Sequence, residues 1–156
     1  MKRTALLLVT AFALIVSGCG GNSEENDYVK EINAADLQAQ AALKRTGTPA
    51  TSARGTAKRF DDTADKLEPV IAQYKAINAP DSAKKAHART VAGMVGLVAL
   101  FREIADDFRA AKTQTQINKI AARTADFDSE EPFRQLKAAR KELAKAGYKV
   151  EGASGS

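Results

Sequence analysis

The chain has 156 residues, with 24 Lys and Arg against 19 Asp and Glu, one Cys, one His and no Trp. At 44% hydrophobic and 28% charged its usage is that of an ordinary globular protein, which excludes a wholly disordered chain, a disulfide scaffold and a collagen-like repeat. The length suits one domain and excludes a large multidomain enzyme.

Lys2 and Arg3 give the chain a basic start, and residues 5–16 (ALLLVTAFALIV) follow without a charge. That run is shorter than the roughly 17–25 apolar residues a membrane-spanning helix needs. A basic start, a short apolar core and small residues behind it mark residues 1–18 as a secretory signal. Its end, Val16-Ser17-Gly18-Cys19, resembles the lipobox of bacterial lipoproteins, in which small residues precede a cysteine. The resemblance implies that the Cys19 thiol receives a diacylglyceryl group, with palmitate-class chains, and that the chain is cleaved after Gly18. Two acyl chains hold firmly, at about 0.8 kcal/mol per buried CH₂. Cys19 is the only cysteine, so a lipidated chain keeps no thiol for a disulfide, a metal site or a nucleophile. Gly20, not Asp, follows it. That implies the outer membrane in a two-membrane bacterium and the outer face of the cell membrane in a one-membrane bacterium. Cleavage also removes two of the positive charges behind the net +5. Residues 20–26 (GGNSEEN) carry no apolar face and are expected to form a short flexible tether.

From Asp27 onward the apolar period is helical, and Ala, Lys, Arg, Glu and Gln are good helix formers. Helix one is expected from about Asp27 to Arg45, with Tyr28, Ile32, Ala35, Ala39 and Ala42 on one face. Asn26 or Asp27 would cap it, Gly47 and Pro49 would stop it, and Leu37 falls off the stripe, toward solvent. Helix two is expected from about Ser52 to Ile77. Its stripe of Ala57, Phe60, Ala64, Leu67, Ile71 and Tyr74 stays in phase across Pro69, which predicts one kinked helix. Asn78-Ala79-Pro80 would end it.

Helix three is expected to open at Asp81 or Ser82 and reach about Thr113. Val91, Met94, Val98, Phe101, Ala105 and Phe108 form one stripe; Leu97, Leu100, Ile104 and Ala111 form a second. Residues 91–101 (VAGMVGLVALF) carry no charge, the mark of a central helix. Gly93 and Gly96 there suit close approach by a neighbour. Residues 115–148 make either one kinked helix or two. One face is Ile117, Ile120, Thr124 and Phe127; the other is Phe133, Leu136, Leu143 and Ala146. Ser129 is a candidate cap with Pro132 in the first turn behind it, and Gly147 is a candidate stop. Residues 151–156 (EGASGS) read as a frayed polar tail. The expected fold is all-α: a single four-helix-bundle-like domain over residues 27–150.

Chemical motifs are scarce. His87, the only histidine, sits beside Lys84, Lys85 and Arg89 and reads as a solvated residue near a helix start. A zinc site would need several His or Cys ligands, and no Glu-x-x-His pair of the di-iron bundles occurs. No Gly-x-Ser-x-Gly elbow and no phosphate loop is present. Asp61, Asp65 and Glu68 share a helical face, as do Glu103, Asp106 and Asp107. With Arg59, Lys66, Arg102 and Arg109 nearby, both clusters read as solvated faces. Lys137, Arg140, Lys141, Lys145 and Lys149 make the last helix basic. They read first as a solvated face, with cations favoured near a helix C-terminus. The alternative is contact with anionic lipid headgroups, at about 1 kcal/mol per charge near the surface; an exported location argues against nucleic acid.

The body also resembles small Ala-rich helical lipoproteins of unassigned function from high-GC Gram-positive bacteria. The cues are residues 27–34 (DYVKEINA), 77–80 (INAP) and 146–150 (AGYKV). The resemblance brings no site residues and no cofactor. The leading expectation is a non-enzymatic adaptor of the cell envelope, held by lipid on Cys19, that engages another envelope protein. The alternative is a carrier of an apolar small molecule or lipid in the bundle core, with Phe60, Tyr74 and Phe133 beside the second stripe of helix three.

Overall fold

The 3-4 apolar spacing becomes helix after helix in the computed structural model, which describes residues 23–44 and 52–150. In chain order these are α1 (Ser23–Leu43), α2 (Ala53–Ala76), α3 (Lys84–Ala110), α4 (Gln114–Ala125), a 3₁₀ turn (Phe127–Ser129) and α5 (Glu131–Lys145). No strand occurs among the described residues. The fold is all-α, as expected. The signal sequence, Cys19, residues 20–22, the helix stop at Gly47 and Pro49 and the tail 151–156 lie outside the described residues.

α3 is the centre of the bundle. It packs on α2 along one side and on α5 along another, and α1 lies against α2. Its apolar run buries Met94, Leu97, Leu100, Phe101, Ile104, Ala105 and Phe108. The partners bury Tyr28 and Ile32 from α1, Phe60, Leu67 and Tyr74 from α2, and Leu143 from α5. Fully burying a large apolar side chain contributes about 1.5–3 kcal/mol, so the stripe of α3 is the main source of cohesion. A ring cluster closes one end: Phe60 lies 5.6 Å from Phe101 and 6.1 Å from Phe108, and Phe127 stacks on Phe133 at 5.5 Å.

α5 comes close enough to α3 that glycine is needed on the facing turn. A Cβ on Gly93 would sit 2.9 Å from Leu136 Cγ and 3.2 Å from the Pro132 carbonyl oxygen. One on Gly96 would sit 3.1 Å from Pro132 Cγ. The two glycines therefore trade helix propensity for a close helix crossing, as their position in an uncharged run suggests.

Several ends differ from expectation, each for a local reason. α1 begins at Ser23, so residues 23–26 are helical and not part of a tether, and neither Asn26 nor Asp27 is a cap. Glu24 and Glu25 fall in its first turn, where the helix dipole favours negative charge. α2 begins behind Ser52, whose hydroxyl accepts from the Gly55 N–H at 3.1 Å, and it runs through Pro69 as one helix. α3 starts at Lys84, after a turn in which the Pro80 carbonyl accepts from the N–H groups of Ala83 and Lys84 at 2.8 and 3.0 Å. It stops at Ala110 because Thr113 caps α4 in a reciprocal box with Gln116.

Residues 115–148 resolve into two helices. The face formed by Ile117, Ile120, Thr124 and Phe127 is the inward one: none of the four is fully buried, but Ile117, Ile120 and Phe127 pack against the core as partly buried side chains. Ser129 does not cap α5. Its hydroxyl donates to the Asp126 carbonyl at 2.9 Å, and Glu130 takes the cap position with Pro132 in the first turn. Gly147 does end α5, at φ 90°, a left-handed conformation that favours glycine. The Tyr148 N–H then reaches the Leu143 carbonyl and the Gly147 N–H that of Ala144, at 3.0 and 3.1 Å, the Schellman arrangement.

Candidate functional site

Because α1 leans on α2 and α5 leans on α3, the two outer helices flank a seam. A cleft of about 250 Å³ lies along it. Its apolar walls come from Ile32, Ala39 and Leu43 of α1, Met94 and Leu97 of α3, and Phe133, Leu136 and Leu143 of α5, with Val150 behind α5. Asp36, Gln40, Tyr74, Thr90, Asp128, Lys137 and Arg140 supply the polar part of the lining.

The polar centre is a three-helix contact. Asp36 sits on α1 beside the Ile32–Ala35–Ala39 stripe and is only 6% exposed. The Tyr74 hydroxyl of α2 donates to Asp36 Oδ1, and the Arg140 guanidinium of α5 lies 3.6 Å from the same oxygen. A buried carboxylate without such partners would cost several kcal/mol. Burial, reinforced by the charge and hydrogen bond of Asp36, pushes the Tyr74 phenol far above its ordinary value, so it stays a neutral donor. Farther along, Lys137 pairs with Asp128 at 2.9 Å.

His87 is not solvated. It is 9% exposed, with its Nδ1 3.4 Å from the Tyr28 hydroxyl. The Tyr28 and His87 rings meet edge to face at 5.7 Å, Tyr28 and Tyr148 at 5.4 Å, and the Tyr148 hydroxyl lies 2.5 Å from Ser82 Oγ. Burial lowers the imidazole below its ordinary value, opposed by a hydrogen bond with the Tyr74 backbone. Burial first, then the neighbouring Tyr148 and Asp36, raises the Tyr28 phenol beyond its ordinary range. The expectation failed because the flanking lysines point to solvent while His87 falls on the buried side, between Ala86 and Thr90. The layer ties α1, the start of α3 and the segment after α5 together.

The two carboxylate clusters are joined to neighbouring helices by arginines. Arg102 reaches Glu68 at 2.5 Å and Asp65 at 3.2 Å, and Arg109 reaches Asp61 at 3.1 Å. Arg123 binds Glu103 and Glu130, each at 2.8 Å, and so fixes the exposed α4 to α3 and to the start of α5. Among the described residues no group of three His, Cys, Asp or Glu is placed to hold a metal ion. No described helix is long and apolar enough to cross a membrane.

Of the side chains expected around a core cavity, Tyr74, Phe133 and, from the second stripe of helix three, Leu97 line the cleft, whereas Leu100, Ile104 and Ala111 do not. Phe60 does not; it belongs to the ring cluster with Phe101 and Phe108. Sequence reasoning missed Asp36 and underused Arg140. The signal was present: Asp36 is four residues from Ile32, and Arg140 lies four beyond Leu136 and three before Leu143, so both fall on apolar faces. A charge on an apolar face needs a partner, and each supplies the other's. No family model matches the chain, and neither a curated protein nor a solved structure does.

Proposed function

We propose that this chain is a lipid-anchored protein of the cell envelope that carries an apolar small molecule or lipid in the cleft between α1 and α5, without catalysing a reaction. The cleft itself supports the reading: an apolar trough with a polar centre, Asp36–Tyr74–Arg140, and the exposed Lys137–Asp128 pair at its rim. Ligand sites share that composition, with apolar walls and a few fixed polar groups that set orientation. The anchor is the lipid on Cys19, which the lipobox-like residues 16–19 support.

Native mass spectrometry of the protein, extracted gently from its own membrane, tests both halves. The expected spectrum shows a covalent mass excess at Cys19 and a non-covalent small-molecule adduct. A Cys19→Ala chain should lose the covalent excess and leave the membrane fraction. If that chain still fractionates as the parent does, the anchor reading is wrong. If repeated extractions give no adduct and added amphiphiles do not bind, the carrier reading is wrong.

A second reading, an adaptor for another envelope protein, is favoured by two large apolar side chains left in solvent, Leu37 on α1 at 56% and Val95 on α3 at 45% exposure. A protein in place of a small molecule in the same spectrum would support it.

A further inference from the structure

The charges along the cleft cancel, and this balance identifies the kind of head group it takes. Four charged side chains line it, two of each sign: Asp36 and Asp128 against Lys137 and Arg140. Each cation already faces one of the acids, Arg140 to Asp36 at 3.6 Å and Lys137 to Asp128 at 2.9 Å. The side chains of Lys137 and Asp128 are 61% and 74% exposed and form a solvated rim pair, but that of Asp36 is 8% exposed. A guest with a net charge would therefore have to break the Asp36–Arg140 pair, or stand beside it without a counter-ion in a half-enclosed apolar trough. Either outcome leaves a charge uncompensated, the costly case in low dielectric. A guest with no net charge meets no such penalty. Its donors find the Asp36 carboxylate and its acceptors the Arg140 guanidinium, while Gln40 offers both.

The apolar part of the guest has a defined track. From Ile32 to Leu43 the wall formed by α1 runs about 16 Å at 1.5 Å per helical residue, faced by Phe133, Leu136 and Leu143 of α5. That is the shape of a single extended hydrocarbon chain. We infer that the α1–α5 cleft binds a single-chain amphiphile whose head carries no net charge but both donates and accepts hydrogen bonds, read by Asp36 and Arg140. This rests on the carrier reading and adds the ligand class to it.

The test uses the full chain held in an amphiphilic polymer in place of detergent, with four probes that share a twelve-carbon chain: monolaurin, lauroyl-lysophosphatidylcholine, laurate and dodecyltrimethylammonium. Each is titrated below its micelle concentration. The readout is tyrosine fluorescence, which has no tryptophan background and includes Tyr74 in the cleft wall. Monolaurin and the lysophospholipid should bind at least about tenfold tighter than laurate or the ammonium, a difference of about 1.4 kcal/mol. The two neutral arms separate an uncharged from a zwitterionic head. In Asp36→Asn, where the cleft gains a net positive charge, laurate should overtake the ammonium by a similar factor. In Arg140→Gln the order of those two should reverse. A variant that merely loosened the fold would weaken all four probes together, and circular dichroism checks that each variant is folded. Equal affinity for all four probes, or no reversal between the variants, overturns the head-group assignment and leaves the carrier reading standing. No saturable binding of any probe overturns the carrier reading itself.

Discussion

Two seams run along this bundle and are filled in opposite ways. Between α2 and α3 the seam holds Phe60, Ala64 and Leu67 with Phe101, Ala105 and Phe108, all buried. Arg102 and Arg109 bridge its outer edge to Asp65, Glu68 and Asp61. Between α1 and α5 apolar walls remain, but a cleft of about 250 Å³ separates them and a buried carboxylate, a phenol and a guanidinium meet inside it. The lesson concerns where charge is placed. At the closed seam the ion pairs sit outside a dry interface and add little, because exposed pairs are worth about 0–1 kcal/mol. At the open seam the Asp36–Arg140 pair reaches into the interface, with the Asp36 side chain 8% and that of Arg140 37% exposed, and links α1 to α5.

The largest expected effect breaks the closed seam. Phe101 is buried against Phe60 and Phe127, with ring centres 5.6 and 5.9 Å away. Phe101→Ala should cost about 3–5 kcal/mol by chemical denaturation, as large-to-small core changes do. The matching truncation at the open seam is Leu136→Ala. Leu136 is only partly buried and already borders empty space, so the loss should be about 1–2 kcal/mol, below the usual core cost. A loss as large as that of Phe101→Ala would show that the two seams are packed alike.

The next effect tests the layer of Tyr28, His87 and Tyr148, which meets the open seam where His87 bonds the Tyr74 backbone. His87 is held below its ordinary pKa of 6.5 by burial. The unfolded chain therefore takes up the proton first as pH falls. The contribution of neutral His87 to stability is complete above about pH 6.5 and is lost as pH falls from there through the lowered folded value. Urea midpoints measured across that window should decline for the parent and stay flatter for His87→Gln. Parallel curves would place His87 in solvent. The smallest effect belongs to the rim of the closed seam. Arg102 is about half exposed beside Asp65 and Glu68, and Arg102→Gln should change stability by no more than about 1 kcal/mol. A larger loss would mean that the outer ion pairs, not the apolar interior, hold α2 to α3.

Much of this fold is local and was readable locally. The 3-4 stripes of α1, α2 and α3 name the residues that the bundle buries, from Tyr28 and Ile32 to Phe101 and Phe108. The pairing of Gly93 with a close neighbour and the stop at Gly147 followed from the residue types alone. Helix ends were less legible, because several polar residues competed for each cap. Ser129 lost that competition to Glu130, and Thr113 with Gln116 ended α3 early. The candidate site was the least legible part. Tyr74, Leu97 and Phe133 were identified as wall residues, but Asp36 and Arg140 sit far apart in sequence and each reads alone as one more charge on a helix.

What the sequence alone determined is the class of fold, the central position of α3 and the expectation of a lipid at Cys19. The first two rest on periodicity and propensity, which act within a few turns, and the last on residues 16–19. Only the tertiary structure decided that His87 is buried, that α4 meets the core only through partly buried side chains and that α1 and α5 stand apart around a neutral polar centre. Those outcomes depend on which faces of separate helices meet. That is set by the packing of side chains such as Leu136 and Pro132 against Gly93 and Gly96, not by any spacing within one helix.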